Sequence, residues 1–484
     1  MTYLVIILIY LFTLIGVGIY KSKKIKTQAD FAVAGRSLSP WVLVGTMLAT
    51  WIGTGSILGN AGKTYETGMA ALILPIGGTL GIILLTRIAG KVRNFEKFTV
   101  PEIIGDRYGP AARLLSVIAL VMAYMVIVSY QYNAGGAVIS TILTDESGVS
   151  LISIEMATII AVVFIIAYTM LAGLVSVAYT DVGNGIIMTV TLLIAFPILW
   201  IKAGGWSGME VAFTSMGKSQ HMQFFGVYSG LDIINFCLPP FLLVLGDANM
   251  YQRFFASKDA AGAKFATTIL VGAVLVIELL IIASAWVSAS MIPDAEVGKH
   301  VLIYAAHQLL PTFLGAIMMT TIVGIIISTA DSFLLVPATT LMRDVYLNYI
   351  NPKASEKKIV LLSRLLVLAL GIVAFIVSKG FAESEGFFER ALYAYTIYGA
   401  AITPVLVAAL FWKDATKEGA VASIISGTVM TLLWKEVPAL WTWLPAGIYG
   451  SVDEVLPAIC CSVLALVGVS LLTKKKIVFF FFCC

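Results

Sequence analysis

Long apolar runs alternate with short polar connectors from one end of this 484-residue chain to the other. Each run approaches the roughly 20 residues that an α-helix needs to cross about 30 Å of hydrocarbon. The pattern predicts thirteen spans, at residues 3–20, 41–60, 68–90, 111–140, 153–171, 177–200, 231–252, 262–290, 313–343, 358–378, 387–412, 419–434 and 454–472. No soluble domain fits between them, so residues 1–484 read as one polytopic domain. The first run, TYLVIILIYLFTLIGVGIY, has no basic segment before it and no small-residue cleavage site, which marks a retained helix rather than a signal peptide.

Composition agrees. The chain is 60% hydrophobic and 12% charged, where soluble domains run at about 45–50% and about 25%. Its net charge of +4 is carried by ordered loop lysines, so nucleic acid is not implied as a partner, and no obligate protein partner is evident. Alternate loops are basic: KSKKIK after the first span; Lys91, Arg93, Lys97 and Arg107; Arg253, Lys258 and Lys264; Arg343, Lys353, Lys357 and Lys358; Lys413 and Lys417; then Lys474–Lys476. The intervening loops are poor, with Lys63, DESGVS, Lys299, Lys379 and Lys435. By the positive-inside rule this gives a multi-pass plasma-membrane protein with its amino terminus outside and its carboxyl terminus cytoplasmic. The five cysteines, Cys237, Cys460, Cys461, Cys483 and Cys484, show neither metal spacing nor a disulfide framework. The tail IVFFFFCC reads as an interfacial anchor at most.

Two spans interrupt themselves. ATWIGTGSILGN, residues 49–60, sets glycines and hydroxyls at membrane depth, and five spans later LPPFLLVLGDANMYQRF repeats the device with Pro239-Pro240 and Gly246-Asp247. Irregular backbone at that depth survives only where it is buried in protein or lines a cavity. In secondary transporters such breaks come in pairs, and unwound carbonyls bind the coupling ion. An odd offset puts the two copies in opposite orientation. Residues 41–200 therefore read as a first repeat and 231–412 as its inverted second, with 3–20 and 419–472 as additions. The ninth span adds ISTADS, which places Ser328, Thr329, Asp331 and Ser332 within two turns. Neutral carbonyls and hydroxyls suit sodium, a hard cation that takes several oxygens. Ala49, Ile52 and Ile325 would supply carbonyls, with Ser328 and Thr329 supplying hydroxyls.

Five stretches together resemble the sodium/solute symporter family: AGRSLSPW, Ala49-x-x-Ile52, TVPEIIGDRYG at 99–109, GLVSVAYTDV at 173–182 and ISTADS at 327–332. The likeness covers nearly the whole chain. It implies an all-α, LeuT-like 5+5 inverted-repeat core that imports a small organic solute with sodium by alternating access. It also implies a primary sodium site at Ala49, Ile52, Ile325, Ser328 and Thr329, and a second one, found in some members, mapping to Asp181, Ser328, Asp331 and Ser332. The motifs ATWIG and STADS are closest to the choline-transporter-like branch, although GDANMYQRF has Asp247 where that branch has a tryptophan.

In a LeuT-like arrangement spans four and eleven line the central cavity. The substrate candidates are Trp51, Thr54, Ser56, Gln131, Asn133, Asp247, Tyr395 and Tyr398. Ionisable residues inside spans are functional candidates by default. Asp247 would meet a substrate amine or pair with Arg253, and Asp181 would join the site or cap its helix. The lone Glu278 is assigned to a neighbouring helix or the outer leaflet, outside the site. Two other readings compete. Proton coupling on the same fold would use Asp181, Asp247 or Asp331. An intramembrane aspartyl enzyme would pair Asp181 with Asp331, but neither Gly-x-Gly-Asp nor His-Glu-x-x-His occurs in the chain.

Overall fold

Polar connectors supply the helix starts. Thr27 and Ser229 form capping boxes with Asp30 and Asp232, while Thr99, Ser153, Asp259 and Thr416 each accept a backbone N–H from the first turn. Such caps satisfy amides that a helix leaves unpaired. The computed structural model describes residues 2–23, 25–144, 150–293, 298, 300–380 and 386–474. The tail IVFFFFCC with Cys483 and Cys484, together with Lys299 and most of DESGVS, lies outside the described residues.

Among the described residues, nine helices are long and apolar enough to cross a membrane, or ten when Pro40–Trp51 and Gly55–Ile73, bent by 51°, count as one broken span. The thirteen expected windows all fall on helices, and the smaller number has physical reasons. The 49-residue helix α1 (Ile154–Lys202) holds two windows. At 1.5 Å per residue it would run about 74 Å if straight, more than twice the hydrocarbon thickness. Instead it turns at Gly173, whose φ of 55° and ψ of 170° suit only glycine. Twelve residues of straight helix separate side chains by about 18 Å, yet the Tyr168 and Thr180 hydroxyls lie 3.1 Å apart. The third window is a 3₁₀ segment, Gly68–Ile73, followed by the short helix Pro75–Leu85. The twelfth, Lys417–Glu436, has charges at both ends that dilute its apolar middle.

The loops gather on two faces. On the basic side, Lys91 Nζ reaches Leu410 O at 2.8 Å, Arg93 Nε reaches Ser257 O at 2.6 Å, and Arg107 reaches Lys413 O at 2.5 Å. On the other, Trp286 Nε1 donates to His221 O at 2.9 Å, Tyr65 Oη to Ile292 O at 3.0 Å, and Lys379 meets Glu155 at 3.2 Å. Lys202 and Lys218, on this poorer side, are tied to Leu309 O and over the Tyr65 ring.

Helix α2 (Thr312–Thr340) is the most enclosed: every residue from Ile325 to Thr340 is buried. Outer helices instead present large apolar side chains such as Ile9, Phe12, Ile201 and Leu471. A bilayer replaces water around such residues, and the core is what remains inside the helix ring.

Candidate functional site

Helix α3 (Pro40–Trp51) ends inside the protein. Its regular bonding runs to Ile52 N–H on Leu48 O, then Ile52 turns extended at φ −76° and ψ 91°, and the chain resumes as a π-turn over Gly55–Asn60. Gly53 is what allows this stretch to lie against α2, because a Cβ there would stand 3.0 Å from the Thr329 side chain. Ser328 Oγ lies 3.4 Å from Ala49 O and 2.5 Å from Asp181 Oδ1. Thr329 Oγ1 is buried with no hydrogen-bond partner among the described residues. It is one of ten buried hydroxyls so placed among the described residues, and it is set apart by its position against Gly53 in the α3 break. The break, the Ala49 carbonyl and both α2 hydroxyls therefore converge on one place, and their oxygen set fits a hard monovalent cation.

The second implied cation site does not fit in the same way. Asp181 Oδ2 accepts from Thr46 Oγ1 at 2.6 Å and lies 3.9 Å from Arg253, whose guanidinium also donates to Ser332 Oγ at 2.6 Å. Arg253 and Asp181 are both fully buried. Asp331 turns instead to Thr169 Oγ1 in the neighbouring segment of α1. Among these residues a permanent cation is already present. A second cation about 4 Å from it meets repulsion of about 4 kcal/mol at an effective dielectric constant near 20.

The break in the seventh span falls at Asp247, between α4 (Gly230–Gly246) and α5 (Ala248–Ala256); Pro239 and Pro240 stay inside α4. Asp247 accepts from Tyr124 Oη at 2.5 Å and from Asn249 N–H at 3.1 Å, so the partner expected in Arg253 is a tyrosine instead. Tyr398 Oη donates to Gly246 O at 2.8 Å and satisfies a carbonyl freed by the break.

Two cavities flank the α3 break. Trp51, Gly53, Gln131, Asp247, Thr329 and Tyr395 line the inner one; Trp51, Ser56, Asn60, Glu278, Phe388 and Tyr395 line the outer one. Trp51 and Tyr395 belong to both and form the partition. Thr54 Oγ1 donates to Gln131 Oε1, which leaves the buried Gln131 Nε2 without a partner among the described residues. Asn133 is displaced from the expected cavity, with Nδ2 3.3 Å from Ser378 O and its side chain on neither cavity wall. Gln131 and Asn133 are two residues apart, a little over half a turn, and so face opposite ways on this helix, whose rotation spacing alone does not fix.

Sequence reasoning also missed residues. Glu278, expected outside the site, accepts from Ser56 Oγ at 2.6 Å and Asn60 Nδ2 at 3.0 Å and lines the outer cavity. Its isolation in an apolar run was the available signal. Arg253 reads as a loop cation but is wholly internal, and Thr46 and Thr169 carried no signal at all.

A high-affinity proline transporter of Bacillus subtilis (strain 168), PutP, is 27% identical over 478 residues, covering 95% of each chain. A sodium/proline symporter of Haemophilus influenzae is 24% identical, covering 96% of this chain and 94% of that one. The choline-like resemblance rests on two short motifs, whereas these likenesses run end to end. A Na+-coupled sialic acid symporter in a substrate-bound outward-open state shares the fold at TM-score 0.81 and 16% identity over 98% of both chains. MhsT in complex with L-phenylalanine shares it at TM-score 0.52 and 14% identity, covering 90% of this chain and 98% of that one. The fold is LeuT-like. The family profile described as "Sodium:solute symporter family" matches residues 31–427, and the chain belongs to that family as a membrane symporter that couples sodium to a small solute.

Proposed function

We propose that this chain imports a small amino acid, with proline the first solute to test, together with one sodium ion per cycle. The relatives' names carry the solute class, because the two whose likeness is given are proline transporters. The sodium site is assigned to the Ala49, Ile52 and Ile325 carbonyls and the Ser328 and Thr329 hydroxyls. One observation carries that assignment: Ser328 Oγ bridges Ala49 O and Asp181 while its neighbour Thr329 Oγ1 is buried without a partner.

A single sodium follows from Arg253, whose charge stands among Asp181 and Ser332 where the family's second ion would sit. Residues 41–200 and 231–412 act as the inverted halves, the amino terminus lies outside and the carboxyl terminus is cytoplasmic. The loop clusters on two faces support the alternation, and their lysine bias supports the direction. In this orientation the outer cavity faces the exterior, and Trp51 and Tyr395 close the path to the inner one. Asp181 serves transport rather than hydrolysis, holding Ser328 toward the ion. Asp331 bonds elsewhere, so the two acids do not form a catalytic pair.

The test is uptake of labelled proline into proteoliposomes under an inward sodium gradient. Uptake that requires sodium and stalls in potassium is expected. Equal uptake in potassium, driven by protons alone, would overturn the ion assignment.

A further inference from the structure

We propose that Glu278 binds the cationic nitrogen of the incoming solute in an outer subsite and so selects amine-bearing solutes. This inference deepens the amino-acid reading above and rests on it for the solute class.

Glu278 lies mid-way along the helix Ala260–Ala289 and is buried, yet it lines the outer cavity. Both carboxylate oxygens are held, by Ser56 Oγ at 2.6 Å and Asn60 Nδ2 at 3.0 Å. Both donors are neutral. They fix where the carboxylate points without cancelling its charge, and among the described residues no cation pairs with it. Lys63, one turn beyond Asn60, is engaged with Glu66 at 2.9 Å and Glu389 at 3.9 Å. An uncompensated acid at membrane depth is costly, and such residues face cavities and pathways.

The surroundings choose among cations. A sodium ion wants several oxygens around it; here Ser56 and Asn60 are already engaged with the carboxylate, and the rest of the wall is mainly aromatic and apolar, with Trp51, Phe236, Phe388 and Tyr395. Aromatic faces attract organic ammonium groups. The carboxylate supplies the charge and a hydrogen-bond acceptor, while the rings supply a cation-friendly surface. Ser56 and Asn60 belong to the resumed helix beyond the α3 break, and Trp51 and Tyr395 partition this cavity from the inner one. A solute held at Glu278 is thus at the threshold of the sodium-binding region.

The experiment compares two competitors of labelled proline in sodium-energised proteoliposomes: unlabelled L-proline and tetrahydrofuran-2-carboxylate, which replaces the ring nitrogen by oxygen and cannot carry the positive charge. Wild type should favour L-proline by about tenfold or more. In Glu278→Gln, which keeps one acceptor oxygen for Ser56 and can meet Asn60 once that amide turns its own oxygen toward the new NH2, that preference should fall to within about threefold, while Glu278→Asp should retain most of it. An unchanged ratio in Glu278→Gln overturns the proposal. Sodium-induced thermal stabilisation of the purified variants verifies that each is folded.

If wild type moves no proline, the amino-acid reading fails first. The same proteins are then screened by sodium-dependent thermal shift against amines, organic acids and sugars. Amine hits lost in Glu278→Gln sustain the role of Glu278, whereas amine-free hits, or amine hits kept in the variant, refute it.

Discussion

Ser328 and Thr329 act through single oxygen atoms, so their removal should be read in sodium dependence rather than in folding. The double variant Ser328→Ala/Thr329→Ala takes two hydroxyls from the proposed ion site. The sodium concentration for half-maximal uptake should rise by about tenfold or more, equivalent to about 1.4 kcal/mol. Ser332→Ala should change it less, because Ser332 Oγ is occupied by Arg253 at 2.6 Å. An unchanged sodium requirement in the double variant removes the site assignment. The buried charges make a second measurable unit. Removing one member of a buried pair leaves the other uncompensated, at about 3–5 kcal/mol, whereas removing both costs less. Arg253→Gln and Asp181→Asn should each lower thermal stability, and the combined variant should recover at least about 1 kcal/mol relative to their sum. Strict additivity would mean that the 3.9 Å approach contributes nothing.

Helices are shaped here by where they stop being regular. The turn in α1 depends on Gly173, since at φ 55° and ψ 170° a Cβ is strained, and it would also stand 2.7 Å from Ile25 Cδ1. Gly173→Ala should cost about 1–3 kcal/mol. Gly183, ten residues on in the same helix with open space around its Cα, provides the control: Ala there should stabilise by up to about 1 kcal/mol. Melting curves of the two purified variants should move in opposite directions. Gly53 is different in kind. Gly53→Val would press a branched side chain into Thr329, so transport should be lost at near-normal expression, as expected when a break is functional rather than merely structural.

Charge movement sets the ceiling on what the transporter can achieve. A sodium entering down 100 mV contributes about 2.3 kcal/mol, and a tenfold concentration gradient adds about 1.4 kcal/mol. One sodium therefore concentrates a zwitterion by at most a few hundredfold, and two by roughly 10⁵. Accumulation at static head in proteoliposomes should stay under the lower limit, with one positive charge moving per solute. A measured ratio well above the one-sodium ceiling would return a second ion to the site and show that Arg253 moves aside for it.

The membrane class, the helical character of the apolar runs and both helix breaks were legible in the sequence, because apolar length and glycine or proline interruption are properties of contiguous residues. The run of oxygen-bearing side chains at 328–332, to which sodium is assigned above as a proposal, was visible for the same reason, being one short stretch of one helix. How separate helices share their polar atoms depends on packing and was not legible in the sequence. Packing set Arg253 beside Asp181, seventy-two positions away in the chain. It turned Asp331 to Thr169, gave Asp247 to Tyr124, rotated Asn133 toward Ser378, and brought Glu278 to Ser56 and Asn60. In an apolar helix the hydrophobic pattern scarcely distinguishes faces, since lipid and protein core are alike to it. The rotation of each span, and with it the partner of each buried polar group, is settled by packing against the others.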